Sequence, residues 1–440
     1  MVASDACQTQ MISLIAFSLY LLMDILRPQE ILSPNSATAV MYWTGNLVLV
    51  CWVFESLFSR RKWHALASTK FVAGLLIVGL LSCGAAYLRL GGDQWSKFLD
   101  LAKALFIYLF VAQIVDTERR LVYVRRLLVC LIMALAVGGV LFSLGVPVPG
   151  FAHEMDEQRL RYVGILSDSN DLGLMYVVAW AILLFGLVNG RSVMRRAWLF
   201  ACLVPLGWAI FLTASRGATL GALTGVFLAF HRRSRFMLPA FLVLSTLLLM
   251  HRYGVARMDK LATSEESAEG RIVAWGQGWY MLRSNPLLGI GPRNFTEYHG
   301  KTAHSTLVQV ASELGMAGLF CWLGLFYFPL QEFTRLDWLR KRSGPGPPAA
   351  VQQLQAALMA CTVAALFLSR LYISTPYLLA GLVLAAREIT KTPELEQQPE
   401  STVEEIENYD PRVSIWRLAF IQLGVLIVWR VMIYGVISGI

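Results

Sequence analysis

Arg216 and His304 stand out in this sequence because each borders a long apolar run, and Arg271 lies in the polar stretch between them. Arg216 lies in TASRGATLGALTG, Arg271 begins RIVAWGQGWYMLRSNP, and His304 lies in TAHSTL. An arginine at membrane depth is costly unless it faces a polar cavity or a partner, and guanidinium groups match phosphate oxygens in pairs. Histidine is the side chain best suited to accept a proton near neutral pH. The three residues therefore predict a site for a phosphate-bearing substrate, with His304 as the base.

Each of these residues also has a purely structural explanation. Arg216 can be a helix-end arginine whose charged head reaches the membrane surface, and His304 can be a polar anchor at the start of a span. Gly217, Gly221 and Gly225 follow Arg216 at a spacing of four, which predicts close packing of a neighbouring helix. Such packing would fix the helix that presents Arg216. We expect His304 to lie in the first turn of a helix, where the helix dipole keeps its ring neutral.

Five further polar residues are candidate substrate-binding residues of lower rank: Arg293, Asn170, Arg283, His299 and Lys301. His153 is a weaker alternative to His304. On a continuous helix, Glu313 would lie about 180° around the axis from His304, on the opposite face. We therefore expect Glu313 to pack against another segment instead of polarising His304.

No metal site or cofactor site is predicted. The sequence has no HExxH motif, and its seven cysteines include no CxxC pair. The segment GIGPRN lacks the preceding strand and the third glycine of a dinucleotide-binding fingerprint. Arginines that stabilise a leaving diphosphate, with a histidine that deprotonates an acceptor hydroxyl, fit metal-independent glycosyl transfer from a lipid diphosphate.

The composition predicts an all-α, polytopic transmembrane helical bundle. The 440 residues are 56% apolar and only 15% charged, and the mean hydropathy is +0.56, far from the composition of a soluble domain. Backbone groups in lipid must be satisfied within each segment, which favours helices. We expect about 12–13 spans in a single membrane domain over 1–440: 11–26, 38–58, 69–90, 98–115, 122–146, 172–189, 196–213, 217–230, 236–251, 304–330, 350–369, 371–387 and 413–438. The first span has no basic region before it and no cleavage site after it, so we expect it to be retained.

The short basic loops predict the orientation of the bundle. Counting spans from a cytoplasmic N-terminus places these loops on one side, as the positive-inside rule requires: 60–62, 119–126, 191–196, 232–235 and 340–342. Topology thus accounts for the formal charge of +9, and nucleic acid is not a predicted partner. The segment 388–412 is acidic and contains proline, which predicts a flexible cytoplasmic linker before a last helix.

The polar stretch 252–303 falls on the opposite side and is predicted to be an extracytoplasmic loop that acts as a lid. Ile272, Trp275, Trp279 and Leu282 recur at helical spacing, so they form an apolar stripe on a short helix. We expect the tryptophans of this stripe to rest at the level of the lipid headgroups. The helix would then carry Arg271 and Arg283 to a fixed depth near the membrane surface.

The order of three motifs resembles the O-antigen ligase and polymerase superfamily of bacterial envelope glycosyltransferases. The motifs are TASRGATLGALTG, then GRIVAWGQGWYMLRSNPLLGIGPRNF, then AHSTLVQVASELGMAGL. GILSDSNDLGLMYVVAWAILL, which contains Asn170, is similar to an upstream asparagine-containing segment of that family. The resemblance is specific from about Gly164 to Phe320. The early segment LRPQEIL is similar to the start of some exopolysaccharide-associated or exosortase-associated members.

The resemblance implies an inner-membrane enzyme with a GT-C-like fold and a site that faces the periplasm. Such enzymes take a glycan from undecaprenyl diphosphate and join it, with inversion, to an acceptor sugar on lipid A-core or on a growing chain. Residue matching implies that Arg216 and Arg271 bind the diphosphate and that His304 activates the acceptor hydroxyl. Ser305 stands where the family commonly has asparagine, and Arg293 stands where a small residue is more common.

Other functions are compatible with parts of the sequence. A transporter or flippase for a lipid-linked sugar would be expected to show two related halves with broken helices, whereas this chain has one large asymmetric outer loop. A non-catalytic scaffold for polysaccharide assembly would leave Arg216, Arg271 and His304 unexplained. No motif separates a ligase from a polymerase, and none indicates the oligomeric state.

Overall fold

A computed structural model of the chain describes residues 11–59, 69–153, 159–190, 192–234, 265–343, 349–395 and 411–437. Nearly all of these residues are helical. The helices, in chain order, are α1 (Ile12–Ile25), α2 (Pro28–Leu32), α3 (Ala37–Ser59), α4 (Thr69–Leu90), α5 (Gln94–Ile114), α6 (Glu118–Ser143), α7 (Ser169–Asn189), α8 (Val193–Leu212), α9 (Arg216–Ser234), α10 (Glu265–Ser284), α11 (Phe295–His299), α12 (Thr306–Ser343), α13 (Ala349–Ala365), α14 (Ser374–Leu395) and α15 (Pro411–Ile437). Short 3-10 turns occupy Pro34–Ser36 and Gly164–Ser167.

Among the residues that the structure describes, a small antiparallel hairpin is the exception to the helical pattern. Its strands, β1 (Ala152–His153) and β2 (Leu160–Arg161), pair Ala152 with Arg161 and His153 with Leu160. The ring of His153 packs against Phe142 with centroids 5.1 Å apart. The all-α prediction is therefore confirmed, apart from this hairpin in the loop before α7.

Six helices of the described part of the chain are long and apolar enough to cross a membrane: Pro34–Leu57, Thr69–Leu90, Glu118–Ser143, Ser169–Asn189, Val193–Leu212 and Thr306–Leu330. Shorter apolar helices occupy Ile12–Ile25, Arg216–Phe230 and Ala349–Ala365. The predicted spans 69–90 and 172–189 correspond closely to α4 and α7. The predicted span 236–251 and the first part of the lid, 252–264, lie outside the described residues. The fold is that of a polytopic helical membrane protein.

Helix α7 lies at the centre of the bundle and packs against α8, α9 and α13. The glycines that follow Arg216 face this packing. A Cβ atom on Gly221 would lie 2.8 Å from the Ala360 carbonyl oxygen, and one on Gly217 would lie 3.2 Å from that of Ala364. These contacts confirm the predicted close approach of a neighbouring helix. They hold α9 rigidly against α13, so the start of α9 has a fixed position.

Helix α12 is broken in its upper part. Gly315 has φ 68° and ψ −166°, which interrupts the helical hydrogen bonds. The chain segment after α10 supplies replacements, because the Met316 N–H donates to the Pro286 carbonyl oxygen at 2.8 Å. The Ile290 N–H donates to the Ser312 carbonyl oxygen at 2.9 Å. A non-helical backbone inside an apolar bundle is tolerated when protein groups satisfy it in this way.

Glycines make this docked segment possible. A Cβ atom on Gly289 would lie 2.4 Å from the Glu313 backbone, and Gly289 has φ +70°. The Gly291 N–H donates to the Glu313 carbonyl oxygen at 3.0 Å, and Ser82 Oγ donates to the carbonyl oxygens of Leu288 and Glu313 at 2.5 and 3.0 Å. The glycines of GIGPRN thus serve a close backbone approach and not a nucleotide.

The tryptophans of α10 contact protein, while their depth at the lipid headgroups stays a prediction. Trp275 Nε1 donates to the Ala303 carbonyl oxygen at 3.1 Å. Trp279 packs edge-on against Trp429 of α15, with ring centroids 5.2 Å apart. The exposed face of α10 carries Val273 and Tyr280 instead. The apolar stripe therefore joins the lid helix to the bundle.

The predicted linker 388–412 is partly helical. Helix α14 continues to Leu395, and α15 begins at Pro411. Residues 396–410 lie outside the described part of the chain. Helix α14 continues through residues 388–395, EITKTPEL, of which Glu388, Lys391 and Glu394 have good helix propensity.

Candidate functional site

Arg216 is the first residue of α9 and is half-buried. The turn that precedes it is tight, with Ala214 at φ 47°. Ser215 caps the helix, because its Oγ accepts a hydrogen bond from the Ala218 N–H at 3.2 Å. The cap and the glycine packing fix the position of the first turn of α9, and therefore of the Arg216 backbone.

Arg271 lies in α10, which places it beside Arg216 although the two are far apart in sequence. Its pKa is lowered, first by burial and then by the charges of Arg216 and Arg159. Such mutual effects fall off with distance, so the three guanidinium groups share one neighbourhood. Like charges held together in a partly desolvated place favour an anionic ligand over water.

His304 precedes α12, which begins at Thr306. The expectation that it lies in the first turn of that helix is wrong: its φ of 49° is left-handed, and the turn before α12 holds it outside the helix. Left-handed backbone is uncommon for a residue other than glycine and is found at functional sites. Its Nε2 lies 3.3 Å from Thr302 Oγ1. Trp275 lies about one turn after Arg271, and its indole N–H donates to the carbonyl oxygen of Ala303, the residue before His304. This hydrogen bond links the helix that carries Arg271 to the turn that carries His304.

The electrostatic surroundings keep the His304 ring neutral. His304 is an exposed residue, and its surroundings lower its pKa below the ordinary value of 6.5. Burial is the largest cause, and the charge of Arg271 is the second; Asp168 acts in the opposite direction. A neutral imidazole next to cationic groups is available to accept a proton.

Arg370, in the turn between α13 and α14, is a residue that sequence reasoning missed as part of the site. Its side chain is only 12% exposed and forms an ion pair with Asp171, while its Nη2 lies 3.5 Å from Asp168 Oδ2. Its charge also lowers the pKa of His304. The Arg370 N–H donates to Thr306 Oγ1 at 3.1 Å, so the turn is joined to the start of α12. The signal was a single arginine between two apolar runs, in FLSRLYIS.

Arg159, just before β2, is the second missed residue. Its Nε donates to the Thr213 carbonyl oxygen at 3.0 Å, and its Nη2 donates to Asn170 Oδ1 at 3.0 Å. Asn170 Nδ2 donates in turn to Asp168 Oδ1 at 2.9 Å. The candidate Asn170 is therefore part of the cluster, where it links Arg159 to Asp168. Arg159 lies in a polar loop that offered no motif.

The remaining candidates have other surroundings. Arg293 Nε forms an ion pair with Asp100 at 2.8 Å, and its guanidinium lies 4.7 Å from the centre of the Tyr372 ring. Arg283 is exposed at the last turn of α10. His299 packs edge-on against Phe295 with centroids 5.8 Å apart. Lys301 is exposed, and its charge contributes to the lowered pKa of His304.

Glu313 joins the start of α11 to the turn between α13 and α14. Its carboxylate accepts a hydrogen bond from the Phe295 N–H at 3.3 Å and another from the Tyr372 hydroxyl. These contacts agree with the expectation that it packs with other segments and does not polarise His304. Within the described ranges, no three His, Cys, Asp or Glu side chains come close enough to hold a metal ion.

The fold and the site define a class: a polytopic helical membrane protein in which Arg271 is affected by the charges of Arg216 and Arg159, while Arg271 and Arg370 both lower the pKa of His304. Residues 201–323 match a family model described as O-antigen ligase. The predicted resemblance to the O-antigen ligase and polymerase superfamily, a group of glycosyltransferase-type enzymes, is thereby confirmed over a segment that contains Arg216, Arg271 and His304. Asn170, Arg159 and Arg370 lie outside the matched residues. A comparison with curated proteins found no match.

Proposed function

We propose that this protein is a bacterial inner-membrane glycosyltransferase that moves a glycan from undecaprenyl diphosphate to an acceptor sugar on the periplasmic side. The observation that carries the proposal is a chain of electrostatic neighbours: the charges of Arg216 and Arg159 act on Arg271, and the charge of Arg271 acts on His304. A lipid diphosphate needs cationic partners, and an acceptor hydroxyl needs a neutral base. The cluster offers both at one end of a membrane bundle.

The reaction is a single displacement with inversion. The acceptor hydroxyl oxygen attacks the anomeric carbon of the donor sugar, and the bond from that carbon to the diphosphate oxygen breaks. The hydroxyl proton passes to the ring of His304, and the bonding electrons leave with undecaprenyl diphosphate. Arg216 and Arg271 stabilise the charge that develops on the leaving group, which favours the transition state over the ground state.

Arg159 and Arg370 act as positioning residues in this scheme. Arg159 is fixed by Thr213 and Asn170, so it extends the cationic surface beside Arg271. The Arg370 side chain forms ion pairs with Asp168 and Asp171. Its backbone N–H donates a hydrogen bond to Thr306, two residues after His304. It therefore fixes the turn that presents His304. The basic loops support a cytoplasmic N-terminus, with the site on the opposite, periplasmic side.

Transfer by the purified chain tests the proposal. Proteoliposomes that contain the full chain are supplied with an undecaprenyl-diphosphate-linked glycan and an acceptor glycan, and the new glycosidic bond is measured by mass spectrometry. We expect His304→Ala to lower the rate by about 100-fold or more, since general-base catalysis contributes about 10²–10⁴-fold. Arg216→Ala should lower it comparably, and the control His153→Ala should retain wild-type activity. A wild-type protein that moves the donor across the membrane without forming a new bond would indicate a flippase instead.

Ligase and polymerase activities differ only in the acceptor. A strain that lacks the protein distinguishes them by the lipid that accumulates. Long unattached glycan on undecaprenyl diphosphate indicates a ligase that acts on lipid A-core. Single repeat units on the same lipid indicate a polymerase.

A further inference from the structure

A cleft of about 580 Å³ lies between the turn that joins α4 to α5 and the short helix α11, and its lining includes none of Arg159, Arg216, Arg271 and Arg370. Gly91, Gly92 and Asp93 line it from the turn, while Glu297 and Tyr298 line it from α11. The volume falls in the range of small-molecule sites, which is about 300–1,000 Å³. The mechanism above uses none of these residues.

The polar wall of the cleft is held in place by hydrogen bonds and an ion pair. Lys97 Nζ donates to Asn294 Oδ1 at 2.6 Å and forms an ion pair with Glu297. Asn294 is fully buried, and its Nδ2 donates to Gln94 Oε1 at 3.0 Å. A preorganised wall of donors and acceptors loses little entropy when a polar ligand binds.

The charges in the cleft disfavour a phosphate-bearing ligand, the kind of ligand that Arg216 and Arg271 would bind. Lys97 is neutralised by Glu297, and Asp93 adds a negative charge, so a phosphate would be poorly bound here. Tyr298 is 51% exposed and offers an aromatic face. A Cβ atom added on Gly91 or Gly92 would meet nothing within 4 Å, so no other group fills the space beside these two glycines. Hydroxyl-rich rings with one apolar face fit such a wall and aromatic surface.

The chain connects the cleft directly to His304. Helix α11 ends at His299, and the segment from Glu297 to His304 can span at most ~25 Å when fully extended. We propose that the cleft binds uncharged pyranose rings of the glycan, so that the sugar chain runs from the cleft towards His304. The inference rests on the proposed function, and either the donor glycan or the acceptor glycan can supply these rings.

Binding of released glycans to the full chain in detergent micelles tests the inference. One probe is the glycan freed from the lipid-linked donor by mild acid hydrolysis, and the other is the delipidated acceptor oligosaccharide; isothermal titration calorimetry measures the Kd of each. We expect at least one probe to bind the wild-type protein. Tyr298→Ala should weaken that binding about tenfold, which corresponds to about 1.4 kcal/mol. Glu297→Gln, which keeps the side-chain shape, should also weaken it.

Tyr42→Ala is the matched control, because Tyr42 is 57% exposed and belongs to α3. We expect it to bind the probe as the wild-type protein does. If neither glycan binds, or if Tyr298→Ala and Glu297→Gln bind as tightly as the wild-type protein, the cleft is not a glycan site. Wild-type binding that Tyr298→Ala weakens, in a protein that transfers no glycan, would reject the proposed function and leave the cleft supported.

Discussion

At the scale of single residues, the site depends on how the charge of one group sets the protonation of another. Arg271 lies close enough to His304 to lower its pKa, and burial acts in the same direction. The arginine that would bind the leaving diphosphate therefore also keeps the base unprotonated. Because His304 must be neutral to accept a proton, its lowered pKa extends activity towards acidic pH.

The pH dependence of kcat/KM tests this coupling. Arg271→Gln removes a positive charge, so the pKa of His304 should rise towards its ordinary value, and the acid limb of the profile should move to higher pH. Burial of the ring remains in this variant, so the pKa of His304 should return only part of the way to its ordinary value. The control Arg283→Gln changes an exposed charge at the end of the same helix and should leave the limb in place. An acid limb that stays fixed or moves to lower pH in Arg271→Gln contradicts the coupling.

Sequence reasoning found some site residues and missed others for a physical reason. Arg216 and His304 border apolar runs, where a polar side chain is costly and therefore conspicuous. Arg159 lies in a polar loop where another arginine attracts no attention. Its role arises from contacts with Thr213 and Asn170, which only the tertiary structure brings together.

At the scale of elements, the break in α12 joins α10 and the segment that follows it to the bundle. The docked segment and the broken helix exchange backbone hydrogen bonds, and the end of that segment leads into α11. Hydropathy predicted one continuous span over 304–330, because a break satisfied by a distant segment leaves the apolar pattern unchanged. The helix ends at α4, α7 and α9 could be predicted well, since their polar turns and glycines are local signals.

Gly289→Ala should disrupt this junction. The new Cβ atom would lie 2.4 Å from the Glu313 backbone at a left-handed φ of +70°, and alanine at such a position destabilises a protein by more than ~1 kcal/mol. We expect a lower melting temperature of the detergent-solubilised protein and a loss of glycan transfer. The control Gly276→Ala lies in α10, where a Cβ atom meets nothing within 4 Å, and it should stabilise the helix by about 0.5–1 kcal/mol. Equal melting temperatures for the two variants would argue against a close approach at Gly289.

At the scale of the whole molecule, the last helix connects parts of the chain that are distant in sequence. Gln422 Nε2 of α15 donates to the Met316 carbonyl oxygen at 2.9 Å, beside the break in α12. Further along, Trp429 is 6% exposed and packs against Trp279 of the lid helix. Helix α15 therefore supports both halves of the junction that presents Arg271 and His304. The sequence indicated a last span but offered no sign of its partners.

The Trp279–Trp429 contact predicts energetic coupling between the lid and α15. In a double-mutant cycle, Trp279→Ala and Trp429→Ala should couple by about 0.5–1.5 kcal/mol, the usual value of an aromatic pair. The free energy of unfolding is measured by reversible denaturant titration in mixed micelles. As a control, Trp198 of α8 is 70% exposed, and Trp198→Ala should add to Trp279→Ala within ~0.3–0.5 kcal/mol. Trp429→Ala should also slow glycan transfer several-fold, because a looser α10 no longer holds Arg271 beside His304. Additive unfolding energies for the Trp279 and Trp429 variants would mean that α15 does not support the lid.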